Sequence, residues 1–128
     1  MIDKDPSREI TDIDIAKLAQ AIEHFRTLDK EIPAQVIATF LYVASHDDCL
    51  KGDLEKALAF STASGSRNTD WLSAYHRLNK PGLGLIIKYR DPNNRRRQVL
   101  QLSDKGRVLV KELKHFYFVR TFLKESDS

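Results

Sequence analysis

The chain has 128 residues, 41% of them hydrophobic and 30% charged, with a formal net charge of +3. That is the makeup of one globular domain with enough length to bury a core, and no internal repeat or low-complexity segment is found beyond frayed ends at 1–9 and 125–128. The single cysteine, Cys49, excludes an internal disulfide and fits a reducing compartment. No apolar run approaches the roughly 18–20 residues that span a bilayer, and no charged-then-apolar leader is present, so a cytoplasmic protein is expected.

The elements follow from hydrophobic spacing. Ile13, Ile15, Leu18, Ile22, Phe25 and Leu28 recur at near-helical intervals behind Thr11 or Asp12 as a cap, which predicts a helix over 11–28. Asp29-Lys30-Glu31 interrupts the pattern, and Pro33 suits the first turn of a second helix. That helix carries Val36, Ile37, Phe40, Leu41, Val43 and Ala44 around most of its circumference and is the expected hub of the core. His46-Asp47-Asp48 then forms a polar turn and Leu50 a very short strand. Gly52-Asp53 leads into a third helix with Leu54, Ala57, Leu58 and Phe60 facing inward.

The dense Ser/Thr run from residue 61 to residue 66 marks a turn and a helix N-terminus, followed by the periodic set Trp71, Leu72, Tyr75 and Leu78; the expected helix is 62–78. Asn79-Lys80-Pro81-Gly82 breaks the chain again. Two β-prone runs, 83–89 and 99–102, flank Asp91-Pro92-Asn93-Asn94, a hairpin signal. Ser103 caps a last helix whose apolar side is Val108, Leu109, Leu113, Phe116, Val119 and Leu123. The order helix, helix, short strand, helix, helix, strand, strand, helix describes a mainly α fold with a small β-hairpin wing, a winged helix-turn-helix.

Charge is unevenly placed. Over residues 1–31, Asp3, Asp5, Glu9, Asp12, Asp14, Glu23, Asp29 and Glu31 outnumber the bases, whereas over 67–114 only Asp70, Asp91, Asp104 and Glu112 oppose a basic majority. A half-chain of one sign is what a nucleic-acid face looks like. Arg95, Arg96 and Arg97 stand together at the expected hairpin tip, where mutual repulsion offers no stability and a polyphosphate would neutralise them. On those residues alone a solvated basic turn is an equal reading. The first turns of the 62–78 helix offer Thr62, Ser64, Ser66, Arg67 and Asn68, short polar or guanidinium groups of the kind that meet base edges and phosphates in a major groove. An amphipathic helix with a wet polar face is the alternative. Taken with the arginine hairpin, the nucleic-acid reading is favoured, with Lys80, Lys88, Arg90, Asn94 and the three arginines as further contacts.

Other chemistry finds little support. Trp71 and Tyr75 could stack bases, but their i, i+4 spacing within an apolar stripe favours core packing. The histidines His24, His46, His76 and His115 are scattered without metal-ligand spacing, and Gly82-Leu83-Gly84 lacks the rest of a nucleotide-binding loop. No nucleophile context is present, so no enzyme activity, cofactor or metal is expected.

Over residues 33–113 the chain resembles the MarR family of winged-helix transcriptional regulators. The wing of that family reads Asp-Pro-x-Asp-Arg-Arg, five residues, then Leu-Thr-x-x-Gly. Here the residues are Asp91-Pro92-Asn93-Asn94-Arg95-Arg96, then Leu102-Ser103-Asp104-Lys105-Gly106, with the spacing intact. Thr62-Ala63-Ser64-Gly65-Ser66-Arg67 is similar to the opening of the family's recognition helix, and Gly82-Leu83-Gly84-Leu85-Ile86 to the approach to its wing. The resemblance implies a homodimer held by the first and last helices (11–28 and 104–124), within a single domain spanning 1–128. It implies a recognition helix in the major groove and a wing arginine, Arg96, in the minor groove. It also implies release of DNA by a small anionic or phenolic effector, or by oxidation of a cysteine.

Two departures stand out. Asn94 replaces the aspartate that usually pairs with the arginine two positions on, which implies a more positive wing, a steeper salt dependence and a weaker sequence preference. The terminal helices are short and rich in aromatic residues (Phe116, Tyr117, Phe118, Phe122), which implies a dimer surface of different makeup. The expectation is a nucleoid-associated, sequence-specific binder of palindromic duplex DNA, a homodimer with repression as its output. The alternatives are a non-regulatory nucleic-acid module, as in phage or plasmid replication or packaging, and a winged helix used for protein interaction.

Overall fold

The computed structural model describes residues 9–74 and 80–118. Helix α1 spans Ile13–Leu28 and is capped by Asp12, whose carboxylate accepts from the backbone N–H groups of Asp14 (3.1 Å) and Ile15 (3.2 Å). Helix α2, Ala34–Ala44, starts behind Pro33, which occupies the cap position in extended backbone rather than the first turn. As expected from its all-round apolar sequence, α2 supplies the centre of the core: Val36, Ile37, Phe40 and Val43 are buried, and Phe40 meets Phe25 of α1 edge to face at 5.7 Å. Leu41 is the exception and lies exposed.

Strand β1 is the two-residue Cys49–Leu50, and helix α3, Lys51–Ala57, follows without a break and already includes the Gly52-Asp53 pair expected to lead into it. Helix α3 ends in a left-handed turn: Ala59 has φ 55°, Phe60 N–H reaches Glu55 O at 2.8 Å and Ala59 N–H reaches Lys56 O at 3.4 Å. This early stop leaves Ala57 exposed, while Leu54 is fully buried and Leu58 and Phe60 are partly so.

Helix α4 spans Thr62–Leu72 with Ser61 as its cap. It is shorter than the expected 62–78 helix. Ser73 N–H still bonds Thr69 O, but the backbone groups of residues 71–74 are then taken by a returning segment: Gly82 N–H bonds Ala74 O, Leu83 N–H bonds Trp71 O and Leu85 N–H bonds Leu72 O. Tyr75 and Leu78, expected to complete the apolar stripe, lie outside the described residues, as do Val119, Phe122 and Leu123.

Strands β2 (Ile86–Asp91) and β3 (Asn94–Leu102) form the hairpin, and β1 joins it to give an antiparallel sheet of order β1-β3-β2, with Cys49 opposite Leu100 and Leu50 opposite Val99. Helix α5, Asp104–Leu113, is capped by Ser103 Oγ, which accepts from Gly106 N–H at 3.0 Å; it continues as a π-helical turn, Lys114–Phe118. No helix among the described residues is long and apolar enough to cross a membrane.

Most of the α1 stripe is left exposed among the described residues. Only Ala21 and Phe25 are buried, whereas Ile13, Ile15, Leu18, Ile22 and Leu28 are exposed. Val108, Phe116 and Phe118 are exposed as well, and the C-terminal turn is tied to α1 through Tyr117, whose hydroxyl lies 3.1 Å from His24 Nδ1.

Candidate nucleic-acid interface

The hairpin differs from a simple arginine-tipped turn. Its turn is Pro92-Asn93, closed by Asp91 Oδ1 accepting from Asn93 N–H at 2.9 Å. Arg90 pairs with Gln98, but the next residue, Asp91, pairs with Asn94, so Arg95, Arg96 and Arg97 have no partner position on β2. The three arginines therefore form an outward bulge of β3 rather than the tip itself. Two contacts hold the bulge: Arg90 Nη1 donates to Arg95 O (2.8 Å) and Arg96 N–H donates to Asn94 Oδ1 (3.2 Å). Asn94 thus keeps the backbone-capping role that an aspartate would play, without its charge. All three arginines are exposed, and among the described residues none of their guanidinium groups has a hydrogen bond or ion pair.

Helix α4 lies beside this bulge. A cleft of about 490 Å³ is lined by Thr62 and Ser66 of α4, by Lys51, Glu55 and Lys56 of α3 and by Arg90, Arg96, Arg97 and Gln98 of the wing. Five basic side chains face two acidic ones there, Asp53 and Glu55. Glu55 is already engaged by Lys51, whose ammonium also reaches Thr62 O at 3.5 Å; these two side chains are 14% and 9% exposed. Gly65 leaves room for the Glu55 side chain, since a Cβ there would stand 2.6 Å from Glu55 Cγ and 2.7 Å from its Cδ. Sequence reasoning missed Lys51 and Lys56, because helical spacing alone does not say which lysines of α3 turn toward a distant hairpin. It also missed Ser61 as the cap, although a serine before a polar helix start is the ordinary signal.

The remaining expected contacts divide. Thr62 and Arg67 are exposed on α4, and Ser64 is half-buried, receiving Arg67 Nη2 at 3.0 Å. Lys80 is exposed at the foot of the wing. Two expectations are corrected. Asn68 faces inward, 6% exposed, and donates to Gln35 Oε1 of α2 at 3.1 Å, so it joins helices instead of reading bases. Lys88 is half-buried and donates to Thr69 Oγ1 (3.2 Å) and to the Asp70 carboxylate, so its charge is neutralised within the protein. Trp71 is half-buried against the core and donates from Nε1 to Asp29 Oδ2 at 2.9 Å, consistent with packing rather than stacking on a base.

Cys49 is buried, and burial together with the nearby Asp53 carboxylate pushes its thiol up to about 11. Only the thiolate reacts, so at neutral pH the native protein should be alkylated by iodoacetamide roughly a hundredfold or more slowly than free cysteine. The rate should climb as pH approaches 11, and hydrogen peroxide should leave Cys49 unmodified. Rapid labelling at pH 7.5 would contradict this arrangement. No group of three or more His, Cys, Asp or Glu residues among the described residues could hold a metal ion.

No family profile matches the chain, and no curated protein sequence matches it. Several solved structures do. The MepR–DNA complex from S. aureus superposes with a TM-score of 0.62 at 24% identity, over 88% of this chain and 81% of that one. RV1404 from Mycobacterium tuberculosis gives 0.63 at 19% identity, over 89% and 70%. A MarR mutant from E. coli complexed with operator DNA gives 0.58 at 17% identity, over 80% and 66%. At these identities the likeness is one of fold, and the fold is the winged helix of the MarR-type structures.

Proposed function

We propose that this winged-helix chain is a sequence-specific duplex-DNA-binding transcriptional regulator that acts as a homodimer and represses by occupying its site. The observation that carries the reading is the exposed arginine bulge set across a basic cleft from the exposed first turns of α4. Helix α4 would enter the major groove with Thr62, Ser64, Ser66 and Arg67 toward the bases. The bulge, with Arg96 foremost, would reach the neighbouring minor groove, and the phosphate strand between the grooves would lie over the cleft. Lys56, Lys80 and Arg90 are the further phosphate contacts. Solved neighbours that include complexes with DNA support this reading.

The exposed apolar residues of α1, with Val108, Phe116 and Phe118, support the homodimer, because association would cover large apolar side chains that the protomer leaves in solvent. The helices 11–28 and 104–124 are the proposed dimer elements. Such a dimer would present two α4 helices about one helical turn of B-DNA apart. The setting would be the compartment that holds the DNA.

Selection from random duplexes tests both parts together. A two-fold symmetric motif with half-sites roughly 10–11 base pairs apart is expected, and sedimentation at micromolar concentration should give a dimer. Enrichment without any motif would favour a non-regulatory nucleic-acid module. Absence of duplex binding would favour a protein-interaction role, and a monomer in sedimentation would remove the dimer.

A further inference from the structure

On β2, Lys88 links the wing to the recognition helix. Its ammonium donates to Thr69 Oγ1 at 3.2 Å and pairs with the Asp70 carboxylate, and both side chains of the ion pair are largely withdrawn from solvent (19% and 23% exposed). Thr69 is completely buried and passes the connection on, donating from Oγ1 to Gly65 O at 2.8 Å. One hydrogen-bonded path therefore runs from the root of the wing through α4 to the glycine that leaves room for Glu55 of α3. On the wing side, Lys88 lies opposite Leu100, a fully buried residue of β3, and two residues before Arg90, whose guanidinium holds the Arg95 carbonyl of the bulge.

We infer that the Lys88–Thr69–Asp70 clamp is a specificity-determining device that fixes the wing relative to the recognition helix, so that the minor-groove and major-groove elements meet a duplex in one register. This rests on the proposed DNA-binding function. Lys88 is a positioning residue in that scheme and touches no phosphate. A half-buried, neutralised ammonium between two elements has the geometry of a tie, whereas the exposed, unpaired arginines beyond it have that of contacts. Strand β3 is anchored by its pairing with β1 at Val99 and Leu100, whereas β2 is an edge strand of the sheet, and Lys88 ties that edge to α4.

Asp70→Asn separates the tie from the alternative in which Lys88 is a phosphate contact masked by its partner. Removing a carboxylate near a polyanion strengthens binding if Lys88 is thereby released. The clamp requires the opposite: about tenfold weaker binding to the selected duplex and smaller discrimination against a single-base variant of it. Lys88→Met should act alike, and the exchange of charges, Lys88→Asp with Asp70→Lys, should recover most of the loss. Amide hydrogen exchange, measured without DNA, should rise in β3 residues 94–98 in both single variants. Unchanged wing exchange, or tighter binding by Asp70→Asn, overturns the clamp. If the wild type binds no duplex, the DNA-binding function falls and the specificity role with it, whatever the exchange shows.

Discussion

Replacing Arg95, Arg96 and Arg97 together by alanine is expected to cut affinity for the selected duplex by two to three orders of magnitude per half-site at roughly 100 mM salt. Each phosphate neutralised contributes a slope of about 0.9 to the dependence of log affinity on log salt, so three contacts amount to about 2.7 decades for each protomer bound at that concentration. The same substitution should flatten the slope by about two to three units per protomer. Stability should hardly change, because the three residues have no partner position on β2 and their guanidiniums make no hydrogen bond or ion pair among the described residues. Anisotropy titrations across a salt series, alongside a thermal melt, measure both. An unchanged slope with an intact fold would take the wing away from the DNA.

Gly106→Ala should damage the fold. A Cβ at this position would run into the carbonyl oxygen of Leu85, with the carbonyl carbon at 3.1 Å and Leu102 Cδ2 at 3.3 Å. That oxygen cannot step aside cheaply, because it accepts from Ser103 N–H at 3.0 Å, beside the cap that starts α5. Overpacking against backbone and weakening of this bond together should cost about 3 kcal/mol. Gly52→Ala is the matching control: nothing lies within 4 Å of a Cβ there, and the position is helical and exposed. It should leave stability unchanged or raise it by about 0.5–1 kcal/mol. Urea denaturation of the two variants checks the difference, and equal midpoints would mean that α5 does not pack on residue 85 as described.

The motif that carries the family resemblance has its physical counterpart in these contacts. In Leu102-Ser103-Asp104-Lys105-Gly106, Ser103 caps α5 and Gly106 admits the Leu85 carbonyl. In Asp91-Pro92-Asn93-Asn94, the two side-chain carbonyl acceptors close the turn and support the bulge. These are local requirements, and local requirements can be read from residue order. At Asn94 the amide oxygen accepts from Arg96 N–H, a backbone cap that carries no charge.

What the sequence by itself determined was the set of elements and their order. A cap at Thr11 or Asp12, Ser103 as the cap of the last helix, α2 as the centre of the core, a very short strand at Leu50 and a hairpin wing all follow from spacing, turn chemistry and capping. Tertiary structure decided which polar side chains are free to act. Asn68 and Lys88 look like DNA contacts in a list of polar residues, but one turns to Gln35 and the other to Asp70. Their partners are 33 and 18 residues away in sequence, beyond the reach of any local pattern. The arginine triplet moved from tip to bulge for a related reason: register is set by which strand positions pair, and pairing is a property of two segments at once. The exposed stripe of α1 completes the contrast, since periodicity reveals an apolar face and only the packed chain shows that this face is left uncovered.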